Sequence, residues 1–280
     1  MSLAHLRILL TGANGGIGAA MARALAARGA ALLVTGRDGA ALDRLAAALD
    51  LPAGRCLAVA ADLTDPVARV RLVHAALTWE GGVNALVNNA GQGQFGLFAD
   101  TTPQQLEALL AANVAAPLHL CRALLPRLQT LPVAHVVNVG SVLGAIGHPG
   151  HALYCASKFA LRGFSEALAR ELADGPVRVH YLAPRATRTG LNEPAVEAMN
   201  AELGSAIDAP ERVAAALVAL LEGGRPRATL GWPERLFVRV NALFPAVVDR
   251  ALAAKLPVIR RHAAAQGREA ASVRSRRKTA

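Results

Sequence analysis

From the first residues to about Glu222, short apolar runs alternate with segments of helical period. Leu6 to Leu10 reads as a strand, and Ile17, Met21 and Leu25 form the buried stripe of the helix after it. Ala31 to Thr35 is a second strand, and Leu42, Leu45 and Leu49 mark the next helix. Four more strands fall at Cys56 to Ala60, Ala85 to Asn88, Val133 to Val139 and Val177 to Leu182, separated by helical segments around 66–79, 103–127 and 152–173. Strands that are continuous apolar runs, each followed by a helix, predict a parallel sheet covered on both faces. Right-handed crossovers make that a doubly wound, Rossmann-type α/β fold. With no interior linker rich in Gly, Ser or Pro and no repeat, the pattern predicts one domain over 1–230. A helical amphipathic extension (231–265) and a basic, disordered tail (266–280) follow it.

The composition agrees with this. The chain has 280 residues, 53% hydrophobic and 18% charged, which excludes global disorder and leaves material for a large core. No run of about 18 uncharged apolar residues predicts a bilayer-spanning helix. The first residues lack the basic and apolar regions of an export signal, and three scattered cysteines (Cys56, Cys121, Cys155) form no disulfide framework or zinc motif, so the expectation is a reducing cytoplasm. The net charge of +10 is lopsided: residues 255–280 hold eight Lys/Arg against Glu269 alone, leaving the body almost neutral. No aromatic residue lies beyond Phe244, so nucleic-acid binding through base stacking is not expected.

Between the first strand and its helix stands Thr11-Gly12-Ala13-Asn14-Gly15-Gly16-Ile17-Gly18. A pyrophosphate needs bare backbone N–H groups at a helix N-terminus and no Cβ in the way. Gly12 suits the turn, Gly16 the approach of phosphate, and Gly18 close packing of helix on strand. This Thr-Gly-x-x-x-Gly-x-Gly pattern resembles the short-chain dehydrogenase/reductase family. In that family an Asp like Asp62, followed here by Leu63, faces the adenine, and a segment like Asn88-Asn89-Ala90-Gly91 supports sheet and cofactor. Gly36-Arg37 at the end of the second strand suits a ribose 2′-phosphate, so NADP(H) is preferred over NAD(H). Asp38 stands beside it as either a ribose acid or a helix cap.

Tyr154 and Lys158 lie four apart, on one face of a helix. A phenol is a poor acid or base at neutral pH, and a neighbouring ammonium is expected to lower its pKa. Ser141 ends the fifth strand, at the carboxyl edge where open α/β sheets bind ligands. With Asn113 these complete the family's tetrad. The resemblance spans about residues 6–190 and implies hydride transfer between nicotinamide and a ketone or secondary alcohol. By that resemblance Tyr154 is the general acid or base, and Lys158 tunes it and holds the nicotinamide ribose. Ser141 orients the substrate oxygen, and Asn113 bends its helix and holds a water. The family is commonly dimeric or tetrameric.

One position departs from the family. Arg185 replaces the glycine usual after Pro184, where it reshapes the loop or meets a cofactor phosphate or an acidic substrate. Thr187 and Thr189 remain placed to bond the carboxamide. Residues 190–207 match the family's substrate lid, and Leu191, Val196, Met199 and Leu203 suggest an apolar pocket beneath it. No His/Cys/acid cluster has metal-ligand spacing, so no metal is expected. Beyond Gly231, Leu236, Val240, Leu243 and Phe244 form a stripe bordered by Arg235, Arg239 and Arg250. That composition fits a helix on anionic membrane, one packed on its own domain, or one packed on a dimer partner. The reading is an NADP(H)-dependent oxidoreductase for an apolar or acyl-chain carbonyl. Its rivals are a non-catalytic nucleotide-binding regulator and an NAD-dependent alcohol dehydrogenase.

Overall fold

The computed structural model describes residues 2–190 and 194–278, with side chains as far as residue 266. The described residues form one parallel sheet in the order β3-β2-β1-β4-β5-β6-β7. Its strands are β1 (Arg7–Thr11), β2 (Ala31–Gly36), β3 (Cys56–Ala60), β4 (Ala85–Asn88), β5 (Ala134–Val139), β6 (Val177–Ala183) and β7 (Arg227–Thr229). Helices α1 (Gly16–Ala26), α2 (Gly39–Ala48), α3 (Pro66–Thr78), α4 (Pro103–Leu110), α5 (Ala116–Leu128) and α6 (Ala152–Glu171) fill the crossovers as far as β6. Then come α7 (Pro194–Glu202), α8 (Pro210–Gly223), α9 (Glu234–Leu243) and α10 (Pro245–Lys278). The doubly wound fold expected from the sequence is present.

Apolar residues on successive positions of one strand feed two cores. Ile8, Leu10, Leu32, Val34 and Val87 face α1, α2 and α8. Leu9, Leu33, Leu86 and Val136 face α3, α5 and α6. This alternation on a pleated strand explains why the central strands read as unbroken apolar runs. Local caps fix where helices begin. Asp65 accepts a hydrogen bond from the Val67 N–H, and Thr102 with Gln105 forms a capping box at α4.

The structure departs from the sequence reading at one helix. The predicted helix 103–127 is α4 and α5 joined by a π-helical turn, Ala111–Ala115, centred on Asn113. Pro103–Leu128 is apolar enough by length and composition to cross a membrane, although Glu107, Arg122 and Arg127 interrupt it. In the fold its Leu109, Leu120, Leu124 and Leu128 are buried, the last three in the core beneath α3. Helix α10 runs on to Lys278. The lid places α7 over 194–202, and its first residues, 191–193, lie outside the described residues.

Candidate active site

The carboxyl ends of the strands open onto a cavity of about 840 Å³. The loop between β1 and α1 forms one end. Gly12 has φ +63°, and a Cβ there would stand 2.8 Å from the Ala90 Cα; a Cβ on Gly18 would stand 2.0 Å from the Gly12 carbonyl oxygen. Neither position tolerates a side chain. The Thr11 hydroxyl accepts from the N–H groups of Asn89 and Ala90, each at 3.0 Å. Asn89 Nδ2 donates to the carbonyls of Thr11 (3.0 Å) and Gly12 (3.1 Å), bolting the loop to the end of β4. No side chain caps α1, and Asn14, Gly15, Gly16, Ile17, Gly18, Ala90 and Gly91 line the cavity. The uncapped N–H groups and helix dipole make this a seat for an anion.

At the neighbouring strand end, Asp38 caps α2 by accepting from the Ala41 N–H at 3.0 Å, so the helix-cap alternative holds. Arg37 is exposed on the cavity wall and makes no hydrogen bond or ion pair among the described residues. Across from it, Asp62 Oδ1 accepts from the Thr64 N–H (2.8 Å) and hydroxyl (2.7 Å). Those bonds, with Arg37 contributing least, hold the Asp62 carboxyl below the usual carboxylate range. Leu63 lines the same wall. These residues fit a dinucleotide, with an uncapped helix end for its pyrophosphate and the Arg37 guanidinium near the neighbouring strand end.

At the other end, α6 presents Tyr154 and Lys158 to the cavity beside Ser141, which follows β5. The Lys158 ammonium donates to the Val139 carbonyl at 3.1 Å and lies 5.7 Å from the Tyr154 ring centre. Burial drives both groups toward their neutral forms: the phenol is pushed up to about 12 and the amine down to about 8. The phenol therefore does not show the lowered pKa expected from its ammonium neighbour. Burial outweighs the hydrogen bond with Ser141, which acts in the opposite direction. The Ser141 Oγ also accepts from the Leu143 N–H at 3.1 Å.

Asn113 is fully buried behind this wall rather than on it. Its Oδ1 accepts from the Gln92 N–H (2.7 Å), and its Nδ2 donates to the Gln92 carbonyl (2.9 Å) and the Ser157 hydroxyl (3.1 Å). Ser157 in turn donates to the Tyr154 carbonyl at 2.7 Å. The π-turn thus connects Asn113 to the backbone of the tyrosine-bearing turn through Ser157, a link between distant stretches of chain that no local motif signals.

Asn88, expected to support the sheet, does so through partners not foreseen in the sequence, and Tyr181 adds a second support. Asn88 Nδ2 donates to Asn138 Oδ1, and Asn138 Nδ2 donates to the Ser165 hydroxyl, both at 2.9 Å and buried, tying β4, β5 and α6 together. Tyr181 on β6 places its hydroxyl 3.4 Å from both the N–H and the carbonyl of Ser141. A Cβ on Gly140 would stand 2.0 Å from that hydroxyl oxygen, so this strand end admits only glycine.

Pro184, Thr187 and Thr189 all line the cavity, and Thr189 packs against Gly16. Thr187 is buried, and its hydroxyl donates to the Arg185 carbonyl at 3.0 Å. Arg185 turns to carboxylates of this chain, Asp208 at 2.7 Å and Glu234 at 3.1 Å. Of the roles open to it, the structure shows reshaping of the loop. The remaining walls mix apolar residues (Phe95, Val196, Met199, Phe237, Val248 and Leu252) with polar ones that include His148, His151, Asn200 and Lys255, and α7, α9 and α10 roof the cavity. Ile259 and Ala263 of α10 are buried with Phe95 and Met199, so the extension packs on its own domain.

A fold of this topology with Tyr154, Lys158, Ser141 and a glycine-built anion seat at one sheet edge defines a nucleotide-dependent oxidoreductase scaffold. The sequence profile described as short chain dehydrogenase matches residues 7–200, and the chain belongs to the short-chain dehydrogenase/reductase family. A bovine relative, dehydrogenase/reductase SDR family member 7B, is 30% identical over 263 residues, covering 89% of this chain and 80% of the bovine protein. The crystal structure of a short-chain dehydrogenase from Sphingobium yanoikuyae in complex with NADPH superposes with a TM-score of 0.72 at 28% identity, covering 88% of this chain and 95% of that one. A Burkholderia phymatum short-chain dehydrogenase/reductase in complex with NAD gives 0.78 at 25% identity, over 86% and 94%.

Proposed function

We propose that this oxidoreductase uses NADP(H) to interconvert an apolar ketone and its secondary alcohol. The observation that carries the cofactor choice is the pairing of roles at the end of β2. Asp38 is spent on capping α2, while Arg37 stands uncommitted on the wall. A guanidinium there favours a 2′-phosphate, whereas an unengaged acid would favour the free ribose hydroxyls. Solved relatives in complex with NADPH and with NAD show that the family scaffold accommodates either.

In this reading the N-terminus of α1 with Gly12 and Gly16 holds the pyrophosphate, and Asp62 and Leu63 border the adenine. Lys158 holds the nicotinamide ribose, and Thr187 and Thr189 border the carboxamide. When bound, the nicotinamide supplies or accepts the hydride. The Tyr154 hydroxyl delivers the proton to the substrate oxygen in reduction and removes it in oxidation. Ser141 donates a hydrogen bond that orients the same oxygen. The Lys158 ammonium steadies the phenolate as the proton leaves, and Asn113 positions the tyrosine turn through Ser157. The apolar roof from Met199, Phe237 and Leu252 excludes water and selects an apolar chain.

The test follows NADPH and NADH consumption with a panel of ketones of increasing chain length, comparing the native chain with Tyr154→Phe and Arg37→Ala. Tyr154→Phe is expected to lose on the order of 10²–10⁴-fold in kcat, as for loss of a positioned general acid. Arg37→Ala should lower kcat/KM for NADPH and leave that for NADH nearly unchanged. Cofactor binding without any turnover would favour a regulatory nucleotide-binding role instead.

A further inference from the structure

Among the described residues, six of the twelve exposed large apolar side chains fall between Trp232 and Val247, while Val67, Val70, Leu77, Phe98, Val133 and Phe159 are scattered over other elements. Trp232 is 70% exposed, Leu243 71%, Phe244 62% and Val247 58%, with Leu236 beside them. They cover the entry to α9 and its junction with α10. This stretch is held firmly to the body. Asn241 Nδ2 donates to the Ala145 carbonyl at 2.9 Å, Arg185 bonds Glu234 and the Trp232 carbonyl, and Val248 is buried just past the junction. The apolar groups are thus presented outward from a fixed platform, where their exposure to water is unfavourable.

The border of the platform is basic. Arg235, Arg239 and Arg250 are exposed and make no side-chain hydrogen bond or ion pair among the described residues. Of the two acids on this stretch, Glu234 is paired with Arg185 and Asp249 is exposed beside Arg250, so the three arginines still outnumber the one open acid. A second copy of the chain meeting this face across a two-fold axis would bring an identical arginine border against it. An anionic lipid surface instead offers the opposite charge to the arginines and a headgroup–acyl boundary to Trp232 and Phe244. We propose that this face of α9 and the start of α10 docks on an anionic lipid surface. Phe237 and Val247, which also line the cavity, are exposed on the same stretch.

The experiment is co-sedimentation of the full chain with phosphatidylcholine vesicles and with phosphatidylcholine–phosphatidylglycerol vesicles, without cofactor or substrate. Binding is therefore read independently of any catalysis. Two variants accompany it, Leu243→Ser with Phe244→Ser, and Arg235→Ala with Arg239→Ala and Arg250→Ala. All these side chains are exposed, and an unchanged Tm verifies folding. Native protein is expected to bind the anionic vesicles and little to the neutral ones, with salt weakening the interaction. The arginine variant should lose on the order of a hundredfold, at about fivefold per basic residue near the surface, and the apolar variant at least tenfold. Equal binding to both vesicle types overturns the proposal. So does full binding by both variants, which would assign the contact to the basic end of α10. Loss of a dimer in sedimentation velocity, with no vesicle binding, would assign the face to a second copy.

Discussion

Arg185 and Asp208 stand 2.7 Å apart, and their ion pair ties the residue after Pro184 to the segment that enters α8. Asp208 is buried, and Arg212 reaches the same Oδ1 at 3.0 Å. The Asp208 N–H donates to the Ala186 carbonyl and the Arg188 N–H to the Asp208 carbonyl, so backbone and side chain fasten one loop. The guanidinium also reaches Glu234 at the start of α9, linking the cofactor end of the cavity to its roof. The bond to Asp208, more than the nearby charges, raises the affinity of Arg185 for its proton.

Arg185→Gly, which restores the residue usual in the family, is therefore expected to destabilise the fold by about 2 kcal/mol. This is less than the ~3–5 kcal/mol for a fully unpaired buried ion, because Arg212 remains. Urea unfolding measures it. The KM for NADPH should change little. A raised KM at unchanged stability would show that Arg185 serves the cofactor instead.

In the proposed mechanism Tyr154 and Lys158 together set a pH limb. The Lys158 amine is held down to about 8, so it carries its charge below that pH and loses it above. The Tyr154 phenol at about 12 stays protonated throughout this range. Reduction should thus lose kcat/KM as pH rises through about 8, with the proton donor still intact. Lys158→Arg keeps the charge and should move the limb upward. A profile flat to pH 10 would contradict the role given to Lys158.

A second pH effect concerns stability. His180 Nδ1 lies 2.7 Å from the Arg225 carbonyl and must donate to it, so its Nε2 accepts from His135 Nδ1 at 3.1 Å. Both rings are neutral in this arrangement. Burial, followed by the nearby charges of His180, His5 and Arg178, lowers His135 to about 4, and burial likewise lowers His180. Between the unfolded value of 6.5 and about 4 the unfolded chain takes protons that the folded chain refuses. Stability is full above that window and falls as pH drops through it, by up to about 1.4 kcal/mol per pH unit for each suppressed proton. Chemical denaturation from pH 7 to pH 4 should show the loss, and His135→Asn should reduce its slope. An unaltered slope would place the acid sensitivity elsewhere.

Much of the frame is legible in the sequence because its signals are local. Ile8, Leu9 and Leu10 make an apolar run whichever face each one buries, and Gly12 and Gly18 sit in a fixed relation to the strand and helix around them. Residues whose partners lie far along the chain are not legible in this way. Asn138 meets Asn88 only through the register of β4 against β5, and Tyr181 backs Ser141 only because β6 adjoins β5. Strand β7 is three residues with an exposed arginine, too short and polar to stand out. The pKa of Tyr154 shows the same limit. Its spacing from Lys158 is visible in the sequence, while the burial that dominates it is set by the assembled cavity.

We propose that this cavity transfers hydride to a carbonyl carbon under control of Tyr154. Incubating the chain with an apolar ketone and NADPH deuterated at nicotinamide C4, then reading the product alcohol by mass spectrometry, tests it most directly. One deuterium is expected on the carbinol carbon from one face of the nicotinamide, with near-complete loss of the labelled alcohol in Tyr154→Phe. Alcohol formed without deuterium from either face, or undiminished labelling in the variant, would contradict it.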